Sequence, residues 1–426
     1  METLKALPEW VKERLHEAGK LADQLDLTVF LVGGIVRDVF LDHVRMDIDL
    51  AVVGDGIQFA KRLARKHQGR MTAHGRFGTA TVNFPDHTKL DIATARSERY
   101  EKSGALPQVT PDTLEADLAR RDFSVNAMAI CLNAPHRGMI IDPHGGRRDL
   151  DHRLIRILHE QSFVDDPTRL FRAVRFEKRL QFHLEQRTEQ VYREAVAAHH
   201  IDGLSAGRLL EQVRLVCAER EVWPIFKRLD ELGVWQAIYP TLAVFDGLAS
   251  QIQAINGLKN NLNRPPKDIW HLYWLALLSP CTLDTIHRLA ERLKPDRRLK
   301  EAMQDLPAMR AIAERVKHKE LDNPGAFYKA AQSVSEDTIL FFAIADKDAS
   351  VRKYCSAYYD EHRSMRPAIN GLVLQDLGIP QGPVYRHILE TILIKKINGE
   401  IKTEQEERRS ALEVWHQTLE NLKKHK

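Results

Sequence analysis

The chain has little of what would set it apart from an ordinary globular protein. Its 426 residues include four cysteines, Cys131, Cys217, Cys281 and Cys355. They lie far apart, without the paired spacing of a zinc site or a disulfide frame, and read as small buried thiols of a reducing compartment. No apolar run approaches the roughly 18 residues needed to cross a bilayer. The opening "METLKALPEWVKERLHEAGKLADQL" is charged and amphipathic where a signal peptide needs an apolar core. Together these absences point to the cytoplasm and to no membrane partner. An excess of one charge is also missing: 63 Lys and Arg against 59 Asp and Glu leave a net +4. That balance selects no polyanionic partner by itself, although basic residues can still gather on one face. Internal repeats and low-complexity segments are absent, and 29% charged with 43% hydrophobic residues excludes a disordered chain.

What is present is length enough for roughly three or four units and a change of pattern near residue 150. Before it, helical and extended spacings alternate. Residues 8–25 have helical spacing, "TVFLVG" reads as a strand and "IVRDVFL" as a short helix. "DIDLAVV" is a strand, "GIQFAKRLARKH" a helix, and "GRMTAH", "GTATVNF" and "TKLDIAT" are strands. The stretch "ARSERYEKSGALPQVTPDT" has no period and reads as a long loop of the kind that is usually functional or mobile. After residue 150 strand signals nearly vanish, and "DPTRLFRAVRFEKRL", "RTEQVYREAVAAHH" and "AGRLLEQVRLVCAE" all have helical spacing. The fold class implied is α+β: a small mixed sheet flanked by helices, then an all-helical remainder.

Three blocks could carry chemistry. In "LVGGIVRDVFLDHVRMDIDL", Asp47 and Asp49 alternate on a strand and so present two carboxylates about 7 Å apart on one face. Like charges so placed repel unless a cation lies between them, and Mg²⁺ takes such hard oxygen ligands together with waters and phosphates. Gly33 and Gly34 let backbone N–H groups approach a phosphate, with Arg37 beside them. Alone, an Asp-x-Asp pair is more often an exposed strand end or a turn. In "ARRDFSVNAMAI", Asp122 caps a helix start while Phe123, Val125 and Met128 pack inward; the arginines before the cap, Arg121 among them, and Asn126 remain unexplained by that reading. In "FVDDPTRLFRAVRF", Asp166 before Pro167 reads as a helix cap. Yet Asp166 and Arg169 also share a helix face, an acceptor beside a donor fork that suits a base edge. Arg172 lies one step on. Arg175 has turned about half way round the helix from Asp166 and needs another target, such as phosphate.

In order, G-G-x-V-R-D, D-x-D, R-R-D-F-S-x-N-A and D-D-x-x-R with R-A-x-R-F resemble the class II tRNA nucleotidyltransferases, which include the related bacterial poly(A) polymerases. "IDPHGGRRDLDHRLIRILHEQSF", "GLSAGRLLEQ" and "LGIPQGPVYRHILE" extend the likeness, which is firm over about 220 N-terminal residues and patchy beyond. The resemblance implies a catalytic head over 1–145, a nucleotide-selecting neck over 146–220, a body over 221–325 and a tRNA-binding tail over 326–426. It implies that Asp47 and Asp49 hold two Mg²⁺ ions. It also implies that Gly34, Arg37, Arg121, Asp166, Arg169, Arg172 and Arg175 contact the nucleotide. The reaction implied is in-line attack of the tRNA 3′-hydroxyl on the α-phosphorus of CTP or ATP, with pyrophosphate leaving. Asp166 and Arg169 would select C and A, which offer an amine beside an acceptor nitrogen where U and G offer a carbonyl. Asp91 stands where some members carry a third acid.

Departures from the pattern fall on Asp42, Asp165, Leu374 and Arg386, none of them in the acid pair. His271 reads as a core or interface histidine. The loop after residue 95 argues against CC-only addition and leaves full CCA addition and A-only addition open. The short C-terminus "ENLKKHK" counts mildly against a poly(A) polymerase. A non-catalytic RNA-binding protein, or nucleotidylation of a small molecule or protein, are readings of other classes that explain fewer of these blocks. The expected partner is the tRNA acceptor stem and 3′ end, with Arg and Lys in 286–300 and 395–408 as candidate contacts, for a monomer or homodimer.

Overall fold

In a computed structural model, residues 4–42, 47–258 and 269–424 are described. They fall into two compact units, one of residues 1–212 with 224–238 and the other of 213–223 with 239–426.

The first unit opens with α1 (Glu9–Gln24), β1 (Thr28–Val32), α2 (Gly34–Phe40), β2 (Ile48–Val53) and α3 (Gly56–Lys66). Next come β3 (Arg70–His74), β4 (Thr79–Asn83) and β5 (Lys89–Thr94), then β6 (Arg96–Arg99), β7 (Gln108–Pro111) and α4 (Leu114–Ala119). β8 (Ala129–Cys131) and β9 (Ile140–Ile141) close a seven-stranded sheet of order β3-β4-β5-β2-β1-β8-β9. The sheet is mixed, since β2 runs parallel to β5 while its other pairs are antiparallel. Each element expected from sequence up to residue 94 is present.

Alternation along β2 sets the site. Ile48, Leu50 and Val52 are buried on one face, and Asp49, Ala51 and Val53 fall on the other. Ala51 packs there with Leu114 and Leu118 of α4 and with Phe30, Val32 and Ala129. Asp49 thus sits at the end of an apolar strip, fixed by the burial of its i+2 neighbour. α3 shows how a local signal makes one element: the Asp55 carboxylate accepts from the Gln58 amide at 2.9 Å, and Phe59, Ala60, Leu63 and Ala64 form its buried stripe.

The stretch read as a long loop is a hairpin. β6 and β7 pair antiparallel, Arg96 with Pro111 and Arg99 with Gln108. A four-residue strand whose side chains are mostly charged carries no hydrophobic alternation, so no period-2 signal marks it. The hairpin tip packs on the turn His200–Gly203. A Cβ on Gly104 would lie 2.4 Å from the Gly203 carbonyl oxygen, so only glycine permits that approach. The expected helix start after Asp122 is shorter than its pattern suggests, a single 3₁₀ turn over Ser124–Asn126. Phe123, Val125 and Met128 are nevertheless fully buried.

After β9 the unit continues with α5 (Gly146–Asp151), β10 (Leu154–Ile155), α6 (Ser162–Asp165), α7 (Thr168–Leu180), β11 (His183–Leu184) and α8 (Gln186–Ala197). β10 and β11 make only a two-residue parallel pair.

The described secondary structure of the second unit is helical. His271 is a core residue: its Nε2 lies 3.2 Å from Asp337, which also accepts two 2.6 Å bonds from Arg298. Near the C-terminus Ile369, Leu374, Ile379, Ile388, Ile392 and Val414 make a core of their own. All four cysteines are buried and free. Among the described residues no helix is long and apolar enough to cross a membrane.

Candidate active site

A cavity of about 410 Å³ in the first unit is walled by β2, α2, the β6–β7 hairpin, the turn after α4 and α7. Its lining includes Gly34, Arg37, Asp47, Asp49, Arg121, Asp166, Arg169 and Arg172. Every residue singled out from the sequence for catalysis or nucleotide contact is therefore gathered here except Arg175 and the third-acid candidate Asp91. α7 explains the absence of Arg175. Arg169, Arg172, Phe176 and Arg179 all line the cavity, a spacing of three, four and three that keeps to one helix face. Arg175 falls off that stripe, and Arg179 stands in the place its charge was expected to fill.

Gly33 brings the backbone against the acids. Its φ is +81°, and a Cβ there would lie 3.2 Å from Asp49 Oδ2 and 3.3 Å from Arg121 Nη1. Burial, reinforced by the neighbouring Asp47 charge, pushes the Asp49 carboxyl up to about 6 against Arg121's opposing pull. A partly buried acid held uncomfortably beside a second acid is a donor set that fits a hard divalent cation. Two carboxylates suffice for Mg²⁺, which keeps waters and substrate oxygens in its shell. Asp91 is Asp49's register partner on β5, but both its oxygens are engaged. Thr81 Oγ1 donates to Oδ1 at 2.6 Å, and Lys89 Nζ donates to Oδ2 at 2.6 Å. Asp91 does not line the cavity.

A chain of hydrogen bonds joins the second block to the other two. Arg37 donates through Nε to Asp38 at 2.8 Å and through Nη1 to Asn126 Oδ1 at 2.7 Å. The Asn126 amide donates to Asp122 Oδ1 at 3.0 Å, and Arg172 Nε donates to Asp122 Oδ2 at 2.8 Å. Burial alone would raise the Asp122 carboxyl, but Arg172 and Asn126 outweigh it and hold it below the usual range. Asn126, unexplained as part of a helix start, is thus the link between an arginine of α2 and one of α7. Arg121 is held by Asp117 through Nη2 at 2.9 Å.

Asp166 and Arg169 are each braced by neighbouring groups. Asp166 Oδ1 accepts from the Thr168 amide at 3.0 Å, from Thr168 Oγ1 at 2.7 Å and from Arg208 Nη2 at 2.7 Å. Arg208 also donates through Nη1 to the Gly104 carbonyl at 2.7 Å, which ties the hairpin tip to the same carboxylate. Arg169 donates to Ser162 Oγ at 2.7 Å and to the Arg120 carbonyl at 2.6 Å. Glu98 and Tyr100 of the hairpin side also line the cavity. Glu98 takes Arg120 Nη1 at 2.7 Å and the Tyr100 hydroxyl at 2.9 Å. In the sequence Glu98 and Tyr100 stand out only as members of the long loop, with Arg96 and Arg99, and Phe176, Arg179 and Arg208 carry no site signal of their own. Only the helical stripe on α7 could have flagged two of them.

Comparison with known proteins agrees with this geometry. Residues 29–156 match the family model described as the poly A polymerase head domain. An A-adding tRNA nucleotidyltransferase of Halalkalibacterium halodurans is 31% identical over 411 residues, 94% of this chain and 92% of that protein. The chain belongs to the class II tRNA nucleotidyltransferase family.

Another member of this nucleotidyltransferase family, the A-adding enzyme of Geobacter sulfurreducens, is 36% identical over 420 residues. That match covers 96% of the present chain, which spans only 47% of the Geobacter protein. A solved CCA-adding enzyme in complex with ATP superposes with a TM-score of 0.79 at 28% identity, over 96% of this chain and 94% of that one.

Proposed function

We propose that the chain is a template-independent nucleotidyltransferase that adds AMP, CMP or both, from ATP and CTP, to the 3′ end of tRNA. The observation that carries this reading is the single cavity in which an acid pair, a set of arginines and a braced carboxylate–guanidinium pair converge. In it, Asp47 and Asp49 would hold a divalent cation. When bound, two Mg²⁺ ions supply charge stabilisation to the attacking and leaving oxygens of an in-line displacement.

The other groups bind and orient. Gly33 and Gly34 leave room for phosphate against the backbone, and Arg37, Arg121, Arg172 and Arg179 surround it with fixed positive charge. Because Arg37 and Arg172 are pre-held by Asp38 and Asp122, they need little reorganisation when the triphosphate arrives. Asp166 and Arg169 read the base: the carboxylate accepts from an exocyclic amine, and the guanidinium donates to a ring acceptor. C and A satisfy both contacts, whereas U and G place a carbonyl against the carboxylate. A protein pair can in this way choose nucleotides without a template strand.

Within this activity we favour A addition. Two relatives that match at least 94% of this chain are A-adding enzymes, and the hairpin that carries Glu98 and Tyr100 reaches the base-reading pair through Arg208. The test uses tRNA transcripts ending at the discriminator base, at C and at CC, each given CTP, ATP or both with Mg²⁺. Extension of the CC-ending transcript by one residue with ATP alone, and no CMP incorporation on the shorter ones, is the expected result. CMP incorporation on the shorter transcripts makes it a CCA-adding enzyme, a long A tail makes it a poly(A) polymerase, and no incorporation at all overturns the reading.

A further inference from the structure

We propose that Phe176 is the positioning residue for the triphosphate-binding arginines, working through the charge distribution of its ring; this rests on the nucleotidyltransferase reading above. The guanidinium carbons of Arg37, Arg172 and Arg179 lie 5.2, 5.4 and 5.6 Å from its ring centroid. Those cations come from two separate elements, α2 and α7, and meet around one side chain on the cavity wall.

The ring is itself held. Phe123 meets it edge to face, with centroids 5.9 Å apart and an interplanar angle of 81°. Phe123 is fully buried. The two phenylalanines of the "RRDF" and "RAVRF" blocks therefore pack on each other beside the arginines of α2 and α7.

The choice of an aromatic has a chemical reason. Three guanidinium groups brought together repel one another, and the repulsion must be offset without cancelling the charge a triphosphate needs. Asp38 and Asp122 each pair with one of them. A third carboxylate at position 176 would hold the cluster but compete with the phosphates. An aromatic face attracts cations through its quadrupole and carries no net charge. The cluster therefore keeps its positive charge while its members are held in place. An aliphatic residue of similar size would fill the space and supply no such attraction.

The experiment measures binding of inorganic tripolyphosphate to the full chain in EDTA by calorimetry, beside steady-state kinetics with ATP and tRNA. Phe176→Leu and Phe176→Met are the test variants, and Phe176→Tyr restores the ring. Phe176→Met, with its flexible thioether, guards against a folding defect in the leucine variant. Both non-aromatic variants should bind tripolyphosphate about tenfold more weakly and raise KM for ATP about as much. Their kcat and KM for tRNA should stay within about twofold, and Phe176→Tyr should track the wild type. The proposal is overturned if the leucine and methionine variants bind tripolyphosphate normally, or if tyrosine loses as much as leucine. A loss that falls on KM for tRNA makes the ring a stacking surface for RNA and overturns it as well. A wild-type chain that binds no tripolyphosphate overturns it too, whereas one that incorporates no nucleotide from ATP sinks the nucleotidyltransferase reading instead.

Discussion

Replacing Asp49 by asparagine should stabilise the metal-free protein while abolishing its activity, and the gain should depend on pH in a defined direction. The folded chain raises this carboxyl from 3.8 to about 6, so folding favours its protonated form. That contribution to stability is complete below about 3.8 and is lost as pH rises through about 6. At pH 8 the wild type carries the full penalty of an ionised, desolvated acid beside Asp47, worth about 3 kcal/mol for that difference. An asparagine side chain keeps the shape and removes the charge. Unfolding in EDTA should show the variant more stable by about 2–3 kcal/mol at pH 8, about half that at pH 5 and nearly nothing at pH 3.5. For a unit of this size the pH 8 gain amounts to roughly 5–10 °C in melting temperature. Mg²⁺ at a hundredfold excess over Kd should cancel that advantage, since the wild type gains about 2.7 kcal/mol and the variant gains little. A variant no more stable than wild type at pH 8, or one whose advantage persists unchanged at pH 3.5, would refute the assignment of Asp49 as a strained metal-holding acid.

Three further outcomes test the rest of the site. Asp166→Ala should relax selection of ATP and CTP over UTP and GTP by roughly 10- to 100-fold, read by misincorporation on tRNA, and should leave Mg²⁺ affinity unchanged; strict exclusion of UTP and GTP at normal rate would remove the base-reading role. Arg208→Ala takes one of three donors from Asp166 Oδ1 and frees the Gly104 carbonyl, so selectivity should fall by a smaller factor, roughly five- to tenfold. The same assay decides it, and a loss of kcat with selectivity intact would contradict the bracing argument. Gly33→Ala forces a side chain into a φ of +81° with its Cβ 3.2 Å from Asp49; it should cost about 1–3 kcal/mol in denaturant unfolding and reduce kcat, whereas a silent substitution would show that the close approach is not required.

Much of the first unit was legible because its signals are local. A strand with one buried face alternates, a helix with one buried stripe repeats every three to four residues, and β2 and α3 do both plainly. The acid pair was readable for the same reason, since alternation on β2 puts Asp47 and Asp49 on one side whatever lies opposite. The β6–β7 hairpin was not legible. Its strands pair through their backbones, and the charged side chains of "RSER" leave no period to read. Arg175 and Arg179 show a different limit. The resemblance carried Arg175 to the nucleotide, but the stripe of α7 that turns inward, starting at Arg169, continues through Phe176 to Arg179.

The sequence by itself determined the α+β head, the helical remainder, the order of the blocks, and the acid pair and arginines that line the cavity. Tertiary structure alone decided how those blocks bind one another. Asn126 joins Arg37 to Arg172, Arg208 joins a hairpin tip to Asp166, and Asp91 is taken up by Thr81 and Lys89. The reason is one of range. Periodicity records which side of an element faces inward, within a few residues of chain. A contact between residues fifty or a hundred positions apart depends on the register and packing of whole elements, which no local pattern encodes.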